Sequence, residues 1–134
     1  MAKANVSWIG GKKFVGTDST NHSVVLSTPD EGIGMKPSEL ILVGLASCTS
    51  VDVVEILMKK KLDLRGLEVA VSAEQDKEPP WTFRTIHLTY TITGTGISKK
   101  DAEQAIQLSQ DKYCSVAATL RGAAEITWEY KFVE

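Results

Sequence analysis

Two thiols are the residues best suited to chemistry in this chain of 134 residues: Cys48 and Cys114, 66 positions apart. A thiolate attacks peroxide and disulfide bonds, and a second thiol can close a disulfide with the oxidised product. The alternative for both is that they are small apolar residues filling core positions, as free cysteines often are. The chemical reading needs one thiol held as thiolate, which burial in apolar surroundings opposes. Cys114 falls at the start of a short helical turn, where a helix N-terminus can assist it. Cys48 falls midway along a long helical stretch and needs a side chain brought from elsewhere.

Other chemistries have less behind them. The histidines, His22 and His87, and the two cysteines stand in four unconnected places without C-x-x-C or H-x-x-x-H spacing, so no metal is expected. Gly94-Thr95-Gly96 ends a strand but lacks the rest of a nucleotide fingerprint, and no bound cofactor is implied. Lys and Arg total 15 against 17 Asp and Glu, a formal charge of −2, with the positive charges scattered except for Lys59, Lys60 and Lys61. Without a basic excess to neutralise phosphates, nucleic acid is not an expected partner. Apolar residues at 43% and charged residues at 24% fit one soluble globular domain spanning residues 1–134. The opening Met1-Ala2-Lys3-Ala4-Asn5 has no apolar core of a signal peptide, and a cytoplasmic setting with reduced thiols is expected.

The elements that must position the thiols follow from periodicity. Ala4, Val6 and Trp8 alternate with polar residues, and Gly10-Gly11 signals a hairpin into a strand around Phe14 and Val15. A third strand carries Val24, Val25 and Leu26, followed by a loop from Thr28 to Met35. Pro37 suits the first position of a helix and Glu39 its positive end. From there to about Lys60, the residues Ile41, Gly44, Leu45, Cys48, Val51 and Asp52 share one stripe, with further apolar residues widening it. The nearly apolar run Leu40 to Leu57 contains Asp52 and Glu55, so a core helix is expected and not a membrane span.

Leu67 to Glu74 and Thr85 to Ile92 alternate as antiparallel strands with one buried face. Ser98 caps a helix running to about Tyr113, with Asp101 in its first turn, and a short turn spans Ser115 to Leu120. Ile126, Trp128, Tyr130 and Phe132 mark the last strand. The predicted order is β-β-β-α-β-β-α-β, an α+β fold with antiparallel sheet wrapped around a buried central helix. One chain of this length is short of surface to cover a helix apolar on nearly all sides, which argues for a dimer.

Pro37-Ser38-Glu39-Leu40 leading to Ala46-Ser47-Cys48-Thr49-Ser50-Val51-Asp52-Val53-Val54, with Tyr113-Cys114-Ser115-Val116 beyond, resembles the OsmC/Ohr family, closest to its YhfA-like branch. The resemblance covers nearly the whole chain. It implies an intertwined homodimer with sites at the interface, Cys48 as the peroxidatic thiol and Cys114 as the resolving one. It also implies organic hydroperoxides as substrates and an external dithiol or lipoyl-type reductant. Apolar neighbours of Cys48 such as Ile41, Gly44 and Leu45 suit a greasy peroxide.

The activating groups depart from the family pattern. Its best-studied members place Glu directly after the helix-starting Pro, whereas here Ser38 follows Pro37 and Glu39 comes one place later, about 100° around a helix. Glu39 is a candidate to hold the thiolate or, alternatively, a helix N-terminal acid. The family's N-terminal Arg has no counterpart, because Arg65, Arg84 and Arg121 all follow the central helix; Lys12 or Lys13 offers only a point charge. Asp52, one turn beyond Cys48, is expected in a buried ion pair or bonded to backbone, or else positioning a cation. Two functions emerge: a peroxidase working through Cys48 and Cys114, or a non-enzymatic redox-sensing or small-molecule-binding thiol protein on the same scaffold.

Overall fold

The computed structural model describes residues 1–133 and divides into two compact units, Met1–Ile41 and the chain from Leu42 onward. In the first unit, β1 (Ala4–Trp8), β2 (Lys13–Asp18) and β3 (Ser23–Ser27) form an antiparallel meander in the order β1-β2-β3. Gly10 and Gly11, at φ 102° and 55°, make the first turn, and the Trp8 indole N–H closes onto the Gly11 carbonyl at 2.7 Å. The Thr28–Met35 loop returns to β3, where Gly34 N–H donates to Ser27 Oγ at 3.0 Å. A Cβ on Gly34 would lie 2.8 Å from the Leu26 backbone, so only glycine allows this approach. Within this unit Val6, Trp8 and Ile9 remain exposed.

The unit boundary falls inside the first helix, α1 (Pro37–Lys59). From Leu42 onward, α1 is followed by the long strands β4 (Asp63–Gln75) and β5 (Phe83–Thr95), which pair antiparallel. The register aligns Val69 with Tyr90, Val71 with Leu88 and Ala73 with Ile86 on one face, as the period-2 alternation predicts. Next come α2 (Lys99–Leu108), α3 (Ser115–Leu120) and the last strand, β6 (Glu125–Val133). Ser98 and Asp101 bond reciprocally in a capping box at the start of α2, as their types suggested.

The α+β class and the order of elements agree with the sequence, and two details differ. The strands form two separate three-stranded sheets, and β6 runs parallel to β5 where an antiparallel partner was expected. The crossover through α2 and α3 carries the chain back to the end of the sheet where β5 began, the connection that parallel strands require. The second difference lies in α2, which stops at Leu108 and gives way to a π-helical turn, Ser109–Tyr113, before Cys114 and α3.

The central helix is also less enclosed than its composition predicts. Leu45, Thr49, Val53 and Leu57 are its buried residues, one every fourth position. Leu45, Val53 and Leu57 pack in a cluster with Ile86, Leu88 and Tyr90 of β5 and with Ala105 and Ile106 of α2. Val43, Val51 and Met58 are exposed within the chain. By length and composition alone α1 could cross a membrane, but its stripe has the seat on a sheet that a core helix has. Truncating this stripe should be costly: Leu57→Ala is expected to lower unfolding stability by roughly 2–5 kcal/mol in urea melts, and Ala70→Ser on the exposed face of β4 by less than about 0.5 kcal/mol.

Candidate thiol site

The buried stripe decides where Cys48 sits. It runs through Thr49, so Cys48 stands about 100° away around the helix, at the edge of the core and only half-buried. Of the stripe expected through Ile41, Gly44, Leu45, Cys48, Val51 and Asp52, Leu45 is fully buried, but beyond it the buried line passes through Thr49 and leaves Val51 58% exposed. Near-uniform apolarity on α1 left that line undetermined by pattern.

Cys114 arrives from the other side. The π turn closes with the Cys114 N–H on the Ser109 carbonyl at 2.8 Å, an i to i+5 bond. At Cys114 the backbone becomes extended (φ −79°, ψ 105°), and its Sγ caps α3 by accepting the Ala117 N–H at 3.3 Å. Its exposure is 2%, and Cys48 packs against the same buried cluster. Burial pushes the Cys114 thiol up to about 11; the Ala117 N–H works against this and the neighbouring Cys48 adds to it. At neutral pH Cys114 is therefore held as the thiol. The fold thus places two free thiols side by side, one reachable and one buried and protonated.

A buried polar cluster lies beneath them. Thr49 Oγ1 is 2.8 Å from both Tyr90 Oη and Ser109 Oγ. Ser109 Oγ donates to Asp52 Oδ2 at 2.8 Å, and Gln110 Nε2 donates to Tyr90 Oη at 2.9 Å. Asp52 is thus bonded through a hydroxyl, not the ion pair or backbone group expected of it. Sequence reasoning passed over Thr49, Tyr90, Ser109 and Gln110. The available signal was polarity out of phase: Thr49 interrupts the Leu45–Val53–Leu57 spacing, and Tyr90 brings a hydroxyl to an otherwise apolar strand face.

The charged candidates lie elsewhere. Glu39 is exposed in the first turn of α1, its carboxylate 3.4 Å from Lys36 Nζ. Lys12 pairs with Asp30 at 3.0 Å and Lys13 reaches Glu31 at 3.9 Å. Arg65 pairs with Asp63 at 3.0 Å and Arg84 with Asp76 at 2.8 Å, both on the surface. Arg121 alone approaches the π turn, donating through Nη2 to the Gln110 carbonyl. His22 bonds Thr20 in its turn, and His87 bonds Thr127 and Glu129 on the outer sheet face. Among the described residues no three His, Cys, Asp or Glu side chains gather to hold a metal ion. A cleft of about 420 Å³ opens next to the cluster, with Asp52, Ile56, Lys59, Leu108 and Tyr113 among its walls.

The family model for OsmC-like proteins matches residues 29–129. The chain belongs to the OsmC family. Within that family it is 33% identical to protein YhfA of Escherichia coli over 131 residues, 98% of each chain. Its fold matches that of a hypothetical protein from Aquifex aeolicus with a TM-score of 0.86 at 28% identity, over 100% of this chain and 98% of the other. The organic hydroperoxide resistance protein OhrB of Bacillus subtilis shares the fold at 18% identity, with a TM-score of 0.65 over 98% of both chains. The thiol geometry of this OsmC-family chain has a direct chemical readout. Iodoacetamide at pH 7 should label Cys48 and leave Cys114 unmodified, and the pH at which Cys114 begins to react should fall in Cys48→Ser, because Cys48 helps to hold it up. Equal labelling of both thiols in the folded protein at pH 7 would contradict this arrangement.

Proposed function

We propose that this protein is a thiol-dependent peroxidase that reduces organic hydroperoxides through Cys48 and Cys114. The observation that carries the reading is the placing of two free thiols in one packed cluster, Cys48 half-buried at its edge and Cys114 buried within it. That asymmetry supports the following roles. Cys48 as thiolate attacks the O–O bond, takes one oxygen as a sulfenic acid, and the other oxygen leaves as the alcohol with a proton from solvent. Cys114 then attacks the Cys48 sulfur, the S–O bond breaks, and water departs as the Cys48–Cys114 disulfide forms. An external dithiol, lipoyl-type or similar, returns both thiols; no bound cofactor enters. The likeness in fold to a protein named for organic hydroperoxide resistance supports the substrate class.

Glu39 fits the cycle less well than the cysteines, since its carboxylate is exposed and paired with Lys36. We assign it to the helix N-terminus, where an acid complements the dipole. The open flank of α1, with Val43, Val51 and Met58, supports a homodimer in which a second copy covers it and adds to the site. The proposed setting is the reducing cytoplasm.

A second reading has its own observation. Each of the three arginines is bonded away from Cys48, two to surface carboxylates and one to a backbone carbonyl. A thiol lacking a nearby cation oxidises slowly, which suits a redox sensor more than a catalyst. Turnover separates the two. With cumene hydroperoxide and excess dithiothreitol, the parent should consume many equivalents and Cys48→Ser none above background. Cys114→Ser should collect sulfinic acid at Cys48. One round of disulfide formation without continued consumption would favour the sensor, and undiminished consumption by Cys48→Ser would remove Cys48 from the chemistry.

A further inference from the structure

The buried polar cluster has a direction that the hydrogen inventory fixes. The Asp52 carboxylate only accepts, so the Ser109 hydroxyl spends its one proton on it. Ser109 Oγ must then accept from Thr49, whose proton is thereby used, and Thr49 Oγ1 accepts from the Tyr90 hydroxyl. Tyr90 Oη in turn accepts from the Gln110 amide. The result is one chain, Gln110 to Tyr90 to Thr49 to Ser109 to Asp52, in which every hydroxyl donates once. Thr49, Tyr90 and Ser109 are fully buried and Gln110 is 5% exposed, so each bond is made where a missing partner is costly.

The chain of bonds crosses between the two thiols' supports. Thr49 and Asp52 flank Cys48 on α1, while Ser109 and Gln110 open the π turn that ends at Cys114. Arg121 holds the Gln110 carbonyl from the far end of α3, and the Ser109 carbonyl holds the Cys114 N–H. Ser109 and Gln110, the first two residues of the π turn, are both buried. From this we infer that Thr49, Ser109 and Asp52 are positioning residues for the resolving step: they lock the Cys114 segment to α1 so that its thiol meets oxidised Cys48. This rests on the peroxidase reading.

The test resolves the two steps in single turnover, trapping Cys48 sulfenic acid with dimedone and following the Cys48–Cys114 disulfide by mass. In Ser109→Ala and Thr49→Val, sulfenic acid should form within about twofold of the parent rate while disulfide formation slows about tenfold or more and the dimedone-trapped fraction rises. Thr49→Ser, which keeps the hydroxyl, should restore the disulfide rate. Should Thr49→Val fail to fold, Ser109→Ala, the smaller change, decides the matter by the same two rates. Unchanged disulfide formation in folded Ser109→Ala, or equal slowing of both steps, would overturn the inference. A parent protein that forms no sulfenic acid would instead remove the peroxidase reading on which it stands.

Discussion

The rotation of α1 about its own axis is the constraint on which the thiol site depends. The helix is apolar nearly all round, so burying one stripe or the next gains similar hydrophobic energy. Thr49 breaks the near-degeneracy. Its hydroxyl is buried next to Tyr90 and Ser109, and another rotation would break both of those bonds. A single polar residue in an apolar stripe therefore selects the register of the helix. Cys48, the next residue, is thereby set at the rim of the core, in reach of solvent on one side and of Cys114 on the other.

The same arrangement makes the two sulfurs unequal. Burial suppresses the ionisation of Cys114, and the proximity of Cys48 suppresses it further. A pair of thiols both poised to ionise would compete for the oxidant and repel each other as thiolates. The capping bond from Ala117 works in the other direction, offering the sulfur an N–H that favours its anion.

Local rules made much of this legible in the sequence. The alternation in Leu67–Ala73 and Ile86–Ile92 gave the buried face of β4 and β5, and Ser98 with Asp101 marked the start of α2. The two cysteines, with the residues around them, pointed to the family and to the pair. What was hidden depended on groups far apart in the chain. The parallel direction of β6 follows from where a crossover delivers the strand, which its own alternation cannot encode. The π turn is a one-residue adjustment with no composition of its own, marked only by the backbone bond from Cys114 to Ser109. Asp52 appeared as a lone charge because its partner, Ser109, lies 57 positions away.

The surface left uncovered bears on how the site is completed. Each unit exposes apolar side chains that are expensive to hydrate: Val6, Trp8 and Ile9 in the first, Val43, Val51 and Met58 in the second. Val51 and Asp52 are adjacent on α1, so whatever covers Val51 borders the polar cluster and narrows the solvent path to Cys48. Water exclusion there would strengthen every bond in the chain from Gln110 to Asp52, since each is worth more in a low dielectric. It would also favour an apolar oxidant over a small polar one.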